Sequence, residues 1–148
     1  MKTIAIAESC TGGLISHLIT NRPGSSQYFK LGVVVYSVQA KISLLKIPPQ
    51  TIEQFGSVSP EVALSMAHKV RELAGTDIGL GVTGIAGPSY PKGEDPLPHQ
   101  VWKWKIGLVY IAVCSAQGDI SKEFNFEGSR EEIKKKAAEE ALKLLEVV

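Results

Sequence analysis

The chain has almost no surplus of charge: 16 Lys and Arg stand against 15 Asp and Glu, a formal net charge of +1 over 148 residues. Basic and acidic residues are interspersed, so nothing pulls the protein toward nucleic acid or an anionic membrane. Cysteine is equally scarce. Cys10 and Cys114 are the two present, with no metal-ligand spacing and too few thiols for a disulfide framework, which points to a reducing compartment. Long apolar runs are missing as well. The N-terminal run Thr3–Ala7 turns polar at Glu8, too early for a signal sequence or a membrane span. These absences leave the cytoplasm as the default compartment, with no nucleic acid or membrane partner expected.

What is present is ordinary globular composition, 44% hydrophobic and 21% charged, enough for one domain over residues 1–148 with one core. Thr3–Ala7 reads as a buried parallel strand ending in the turn Glu8-Ser9-Cys10-Thr11-Gly12-Gly13. Leu14, Ile15, Leu18 and Ile19 follow at helical spacing, and Asn21-Arg22-Pro23-Gly24 stops that helix. A second strand fits Tyr28–Tyr36. Ser37 then caps a short helix carrying Lys41, which Pro48-Pro49 ends. Ser59-Pro60 opens a helix closed by Gly75, with Val62, Met66, Val70 and Leu73 on one face.

Asp77–Val82 is a third strand running into Thr83-Gly84-Ile85-Ala86-Gly87-Pro88, and Leu108–Ser115 with Ile120–Phe126 form a hairpin about Gly118. Ser129-Arg130-Glu131-Glu132 is a capping box that starts the terminal helix. The sum is an α/β protein: a mixed, mostly parallel sheet of five strands with helices on both faces. Ser89 to Lys105, rich in proline and carrying Trp102 and Trp104, reads as a long loop beside the site.

Ligands in open α/β sheets collect at the carboxyl ends of the parallel strands, where three features should meet. Ser9 leaves a strand and enters a helix N-terminus, whose free amides favour an anion or an oxyanion beside a nucleophile. A plain Ser N-cap is the alternative. A serine nucleophile needs a base, and none of the histidines is suited: His17 and His68 lie within helices and His99 in the proline-rich loop. Lys41, if desolvated, would serve as a neutral amine, with Tyr36 holding it by hydrogen bonding; otherwise it is a solvated surface lysine. Arg130, first in a capped helix, is a candidate clamp for phosphate or carboxylate. Thr83 with Gly84 offers a hydroxyl and accessible backbone. Cys10, at the same helix N-terminus as Ser9, is the competing nucleophile.

Together, Ala7–Gly13, Pro23-Gly24-Ser25-Ser26, Tyr36-Ser37 with Ala40-Lys41, Gly56–Ser59 and Thr83–Pro88 resemble the CinA C-terminal domain family. Its characterised members include nicotinamide-mononucleotide amidase. The resemblance spans nearly the whole chain and implies a three-layer α/β/α domain. It also implies hydrolysis of the carboxamide of nicotinamide mononucleotide, a small-molecule substrate, with no metal or cofactor, releasing nicotinate mononucleotide and ammonia. Carried over by motif, Ser9 is the nucleophile, Lys41 the base and Tyr36 its support. Cys10, Thr11, Gly12, Ser26, Thr83, Gly84 and Arg130 would contact substrate, the phosphate resting on Arg130 and helix N-terminal amides.

The chain departs from the family pattern in three places. It starts almost at the first strand where relatives begin with a helix, it has Val38-Gln39 in place of Asn-Glu, and it carries a longer segment before Lys105-Ile106-Gly107. The alternative reading is a binding module that holds a nucleotide or a partner without turnover. Self-association, most simply as a homodimer, is expected for a domain this small.

Overall fold

The structure is a computed structural model that describes residues 1–89 and 105–148. The expected loop with Trp102, Trp104 and His99 lies outside the described residues, apart from its ends Ser89 and Lys105.

Strand β1 (Ile4–Glu8) is an interior strand, flanked in parallel by β2 (Phe29–Val34) and β3 (Ile78–Gly84). Strands β4 (Leu108–Ser115) and β5 (Gly118–Asn125) add an antiparallel hairpin, giving the order β2-β1-β3-β4-β5. Each interior strand is apolar on both faces because both faces are covered. Along β1, Ile6 joins one cluster with α1 (Leu14–Thr20) and α5 (Arg130–Glu146), while Ala5 and Ala7 join another on the opposite face. That second face is covered by α2 (Val38–Ser43), α3 (Pro49–Phe55) and α4 (Pro60–Ala74). The result is the three-layer α/β/α sandwich.

Helix α4 lies unusually close to the sheet for a reason visible in β3. A Cβ on Gly79 would stand 2.1 Å from the Ala67 carbonyl oxygen, and one on Gly81 2.3 Å from that of Ala63. Only glycine allows backbone to rest on backbone there. Strand β5, at the sheet edge, alternates instead: Ile120 and Phe124 pack inward while most of the strand is exposed.

The helix starts follow the expected caps. Ser37, Ser59 and Ser129 each accept a main-chain N–H at N3, and Ser129 completes its box with Glu132. One expectation is corrected. Pro48-Pro49 terminates no helix; Pro49 is the first residue of α3, because a proline's missing N–H costs nothing at a first helical position.

Candidate active site

The carboxyl end of β1 is held by a buried carboxylate. Glu8 is fully buried, and its Oε1 accepts from Thr11 Oγ1 at 2.6 Å, Gly13 N at 3.2 Å and Ile15 N at 3.0 Å. Its Oε2 accepts from Ser16 N at 2.9 Å and Ser16 Oγ at 2.7 Å. An acidic side chain thus sits where the dipole and orphan amides of α1 favour negative charge. To reach these donors the chain bends tightly, with Gly12 at φ 60° and Gly13 at φ 100°, conformations that suit glycine. The expectation of free helix amides for a phosphate is therefore corrected. Glu8 occupies them.

With that turn pinned, Ser9 projects toward α2. Its main-chain N–H is tied to Val82 O of β3 at 3.1 Å, and the residue is buried at 6% exposure. Lys41 comes from the other side. Strand β2 continues its pairing through Val35 N to Glu8 O, at 2.8 Å, then turns at Tyr36 into the Ser37 cap. Helical side chains lean toward their own N-terminus, so Lys41 in α2 points back at the strand end. It is 2% exposed, among the largest fully buried side chains. Its Nζ lies 2.9 Å from Ser9 Oγ, 2.9 Å from Val35 O and 3.1 Å from Tyr36 O. Two carbonyls take N–H groups of the amine, and a further direction faces the serine hydroxyl.

The remaining candidates divide. Tyr36 does support Lys41, but through its main-chain carbonyl. Its phenol is largely exposed and accepts from Arg130 Nη2 at 2.9 Å. Arg130 Nη1 donates to Gly87 O, so this guanidinium ties the end of β2 to the turn after β3. Thr83, the expected substrate hydroxyl, is 1% exposed and donates to Ser57 O at 2.7 Å, anchoring the Gly56–Ser59 turn to β3. Thr11 is likewise spent on Glu8 and is 1% exposed. Gly84, at the end of β3, pairs with Val109, and a Cβ there would strike the Leu108 carbonyl at 2.8 Å.

Ser26 is not brought to this end of the sheet. It lies in a short turn (Ser25–Gln27) just before β2, and β2 begins opposite Ile4, whereas Glu8 and Val34 pair at the other end. Ser26 therefore lies at the amino end of the parallel strands, the opposite end from Ser9.

Cys10, the competing nucleophile, is buried at 7% exposure. Burial, the largest influence on it, pushes its thiol up to about 12, which disfavours the thiolate, the form that attacks. Cys114 is also shifted up, again chiefly by burial. Native protein at pH 8 is expected to resist iodoacetamide and to take up label at both cysteines only in denaturant. Rapid labelling of Cys10 in the native state would contradict this.

Among the described residues, one group has the donors to hold a metal ion: His68, Cys114 and Asp119, with ligand atoms within 4.8 Å of one another. It sits where Cys114 pairs with Gly79, at the amino end of β3. Ser9 is at the carboxyl end.

A model of the CinA C-terminal domain family matches residues 1–148. The chain belongs to this family. It is 47% identical over 144 residues to a putative competence-damage inducible protein of Moorella thermoacetica, covering 97% of this chain and 32% of that protein. A CinA-like protein of Desulfotalea psychrophila is 46% identical over 143 residues, again 97% of this chain and 32% of the relative. The chain thus spans about a third of the length of these curated relatives.

Solved structures in the family superpose closely. The competence/damage inducible protein CihA from Agrobacterium tumefaciens gives a TM-score of 0.86 at 34% identity, covering 99% of this chain and 84% of that one. A CinA superfamily protein from Escherichia coli gives 0.87 at 27% identity, covering 99% and 81%. No helix among the described residues of this CinA domain is long and apolar enough to cross a membrane.

Two residues that sequence reasoning missed stand out in the CinA domain. Glu8 carries a signal, since an acidic residue directly following an apolar strand must find donors when buried. Lys134 carries none beyond its spacing from Arg130: it is one of three consecutive lysines, and only packing selects which of them meets the Ser9 turn.

Proposed function

We propose that this domain hydrolyses the carboxamide of nicotinamide mononucleotide, yielding nicotinate mononucleotide and ammonia through a Ser9/Lys41 pair. The observation that carries the reading is the 2.9 Å hydrogen bond between Lys41 Nζ and Ser9 Oγ, both buried. A structural lysine has no need of a serine partner at a strand end where ligands collect. A serine nucleophile does need a base within this distance.

In the proposed sequence Lys41 acts as the neutral amine, the form that burial favours. The carbonyls of Val35 and Tyr36 hold its N–H groups, which aims the lone pair at Ser9. Ser9 Oγ attacks the amide carbon as its proton moves to Lys41 Nζ. The oxyanion that forms is met by main-chain amides of the Cys10-Thr11 turn, which have no acceptor on another residue among the described ones. Such donors contribute about 2.7–4 kcal/mol each. The C–N bond then breaks, Lys41 returns its proton to the leaving nitrogen, and ammonia departs. Water attacks the Ser9 ester, giving its proton to Lys41, and nicotinate mononucleotide leaves with Ser9 restored.

Ammonia release from nicotinamide mononucleotide tests this directly. Wild type is expected to turn over, Ser9→Ala to fall by about 10⁶-fold, and Cys10→Ala to keep most of its activity. Binding of the nucleotide by folded wild type without any ammonia would instead identify a binding module. The pH profile supplies a second check. A base works only when deprotonated, so kcat/KM is expected to rise with pH along the limb on which Lys41 loses its proton. A profile flat from neutral to alkaline pH would count against lysine as the base.

A further inference from the structure

The nucleotide reading requires a place for a phosphate, and the two obvious ones are already engaged. Glu8 fills the N-terminus of α1. Arg130 is held between Gly87 O and Tyr36 Oη. A different cation stands at the turn. Lys134, one helical turn after Arg130 and on the same face of α5, reaches over Gly12. Its Nζ is 3.6 Å from where a Cβ on Gly12 would stand. Its charge is felt at Cys10, where it works to lower the thiol's proton affinity. Yet Lys134 is only half-buried, and its ammonium has no hydrogen-bond or ion-pair partner among the described residues.

We propose that Lys134 is the anion-binding residue of this site: its ammonium, beside the Gly12 backbone, receives the phosphate monoester of the substrate and sets the preference for nucleotide over nucleoside. The inference rests on the amidase reading for its substrate, but the anion site itself does not depend on turnover. The attraction is electrostatic. Gly12 is exposed and carries no side chain, so an anion can approach the ammonium over this turn. The nearest helix N-terminus is closed to it by a built-in carboxylate. A lysine acts on phosphate as a point charge, which suits a single contact over a turn.

The experiment pairs binding with kinetics. Ribose 5-phosphate and ribose are titrated calorimetrically into wild type, Lys134→Ala and Lys134→Arg. The same proteins are then assayed for ammonia release from nicotinamide mononucleotide and from the corresponding nucleoside. Lys134→Ala is expected to weaken ribose 5-phosphate by about ten- to a hundredfold and to raise KM for the nucleotide by a similar factor. The preference for nucleotide over nucleoside should collapse with it, and Lys134→Arg should retain most of both. Equal affinity of wild type and Lys134→Ala for ribose 5-phosphate overturns the proposal, as does a wild type that binds ribose 5-phosphate no better than ribose. Binding that depends on Lys134 without ammonia release upholds the anion site and sinks the amidase reading. Ammonia release with an unaltered KM in Lys134→Ala does the reverse.

Discussion

Lys41→Met is expected to lower ammonia release by about two to four orders of magnitude while leaving the protein folded with nearly its original stability. The loss of rate follows from removing the base, at the magnitude that positioned proton transfer contributes. The small change in stability follows from opposing terms. Methionine is unbranched like lysine and keeps much of the buried volume beneath α2. The carbonyls of Val35 and Tyr36 lose a donor, which costs about 1–3 kcal/mol for each that finds no replacement. Against this, a buried amine no longer has to be desolvated, a relief of comparable size. The net shift is expected to stay within about 2 kcal/mol. Urea denaturation and ammonia release, measured on the same preparation, check both halves. Turnover within tenfold of wild type would remove Lys41 from the mechanism.

The largest effect on stability is expected at Glu8. Glu8→Ala removes the acceptor for the Gly13, Ile15 and Ser16 amides and for the hydroxyls of Thr11 and Ser16. It strands buried donors and uncaps α1, and the loss is expected to be about 3–5 kcal/mol. Glu8→Gln is milder, about 1–3 kcal/mol. Its oxygen replaces Oε1, but its NH₂ then faces the Ser16 amide, a donor against a donor. Both variants should shift the urea midpoint with little change in the slope, since the surface exposed on unfolding is the same. Activity should suffer as well, because the turn that Glu8 clamps is the one that carries Ser9. A displacement of about 1 Å there is enough to cost on the order of a hundredfold. Wild-type stability in Glu8→Gln would mean that Oε2 is not the acceptor for Ser16.

Much of this architecture could be read along the chain, because local chemistry decides it. Apolar runs became the interior strands β1, β3 and β4, an alternating run became the edge strand β5, and Ser37, Ser59 and Ser129 capped the helices they precede. Helix α3 escaped because a proline pair has two readings: it ends a helix from behind and begins one from the front, and only the packing of Ile52 into the core chooses. The pairing of Ser9 with Lys41 was legible as chemistry, the strand-end serine and the lysine in the next helix, but not as contact.

What the sequence by itself determined was the alternation of strands and helices and the set of polar residues left at the strand ends. What only the tertiary structure decided was the partner of each polar group. Glu8 rather than a ligand fills the α1 terminus, Thr83 serves Ser57, Tyr36 serves Lys41 through its carbonyl, and Ser26 stays at the far edge. The physical reason is that a buried polar atom must be satisfied wherever the fold sets it down. Elements close in sequence impose caps and turns, whereas α5 meets the Ser9 turn across more than a hundred residues. No local rule could say that, of three neighbouring lysines, Lys134 would stand over Gly12.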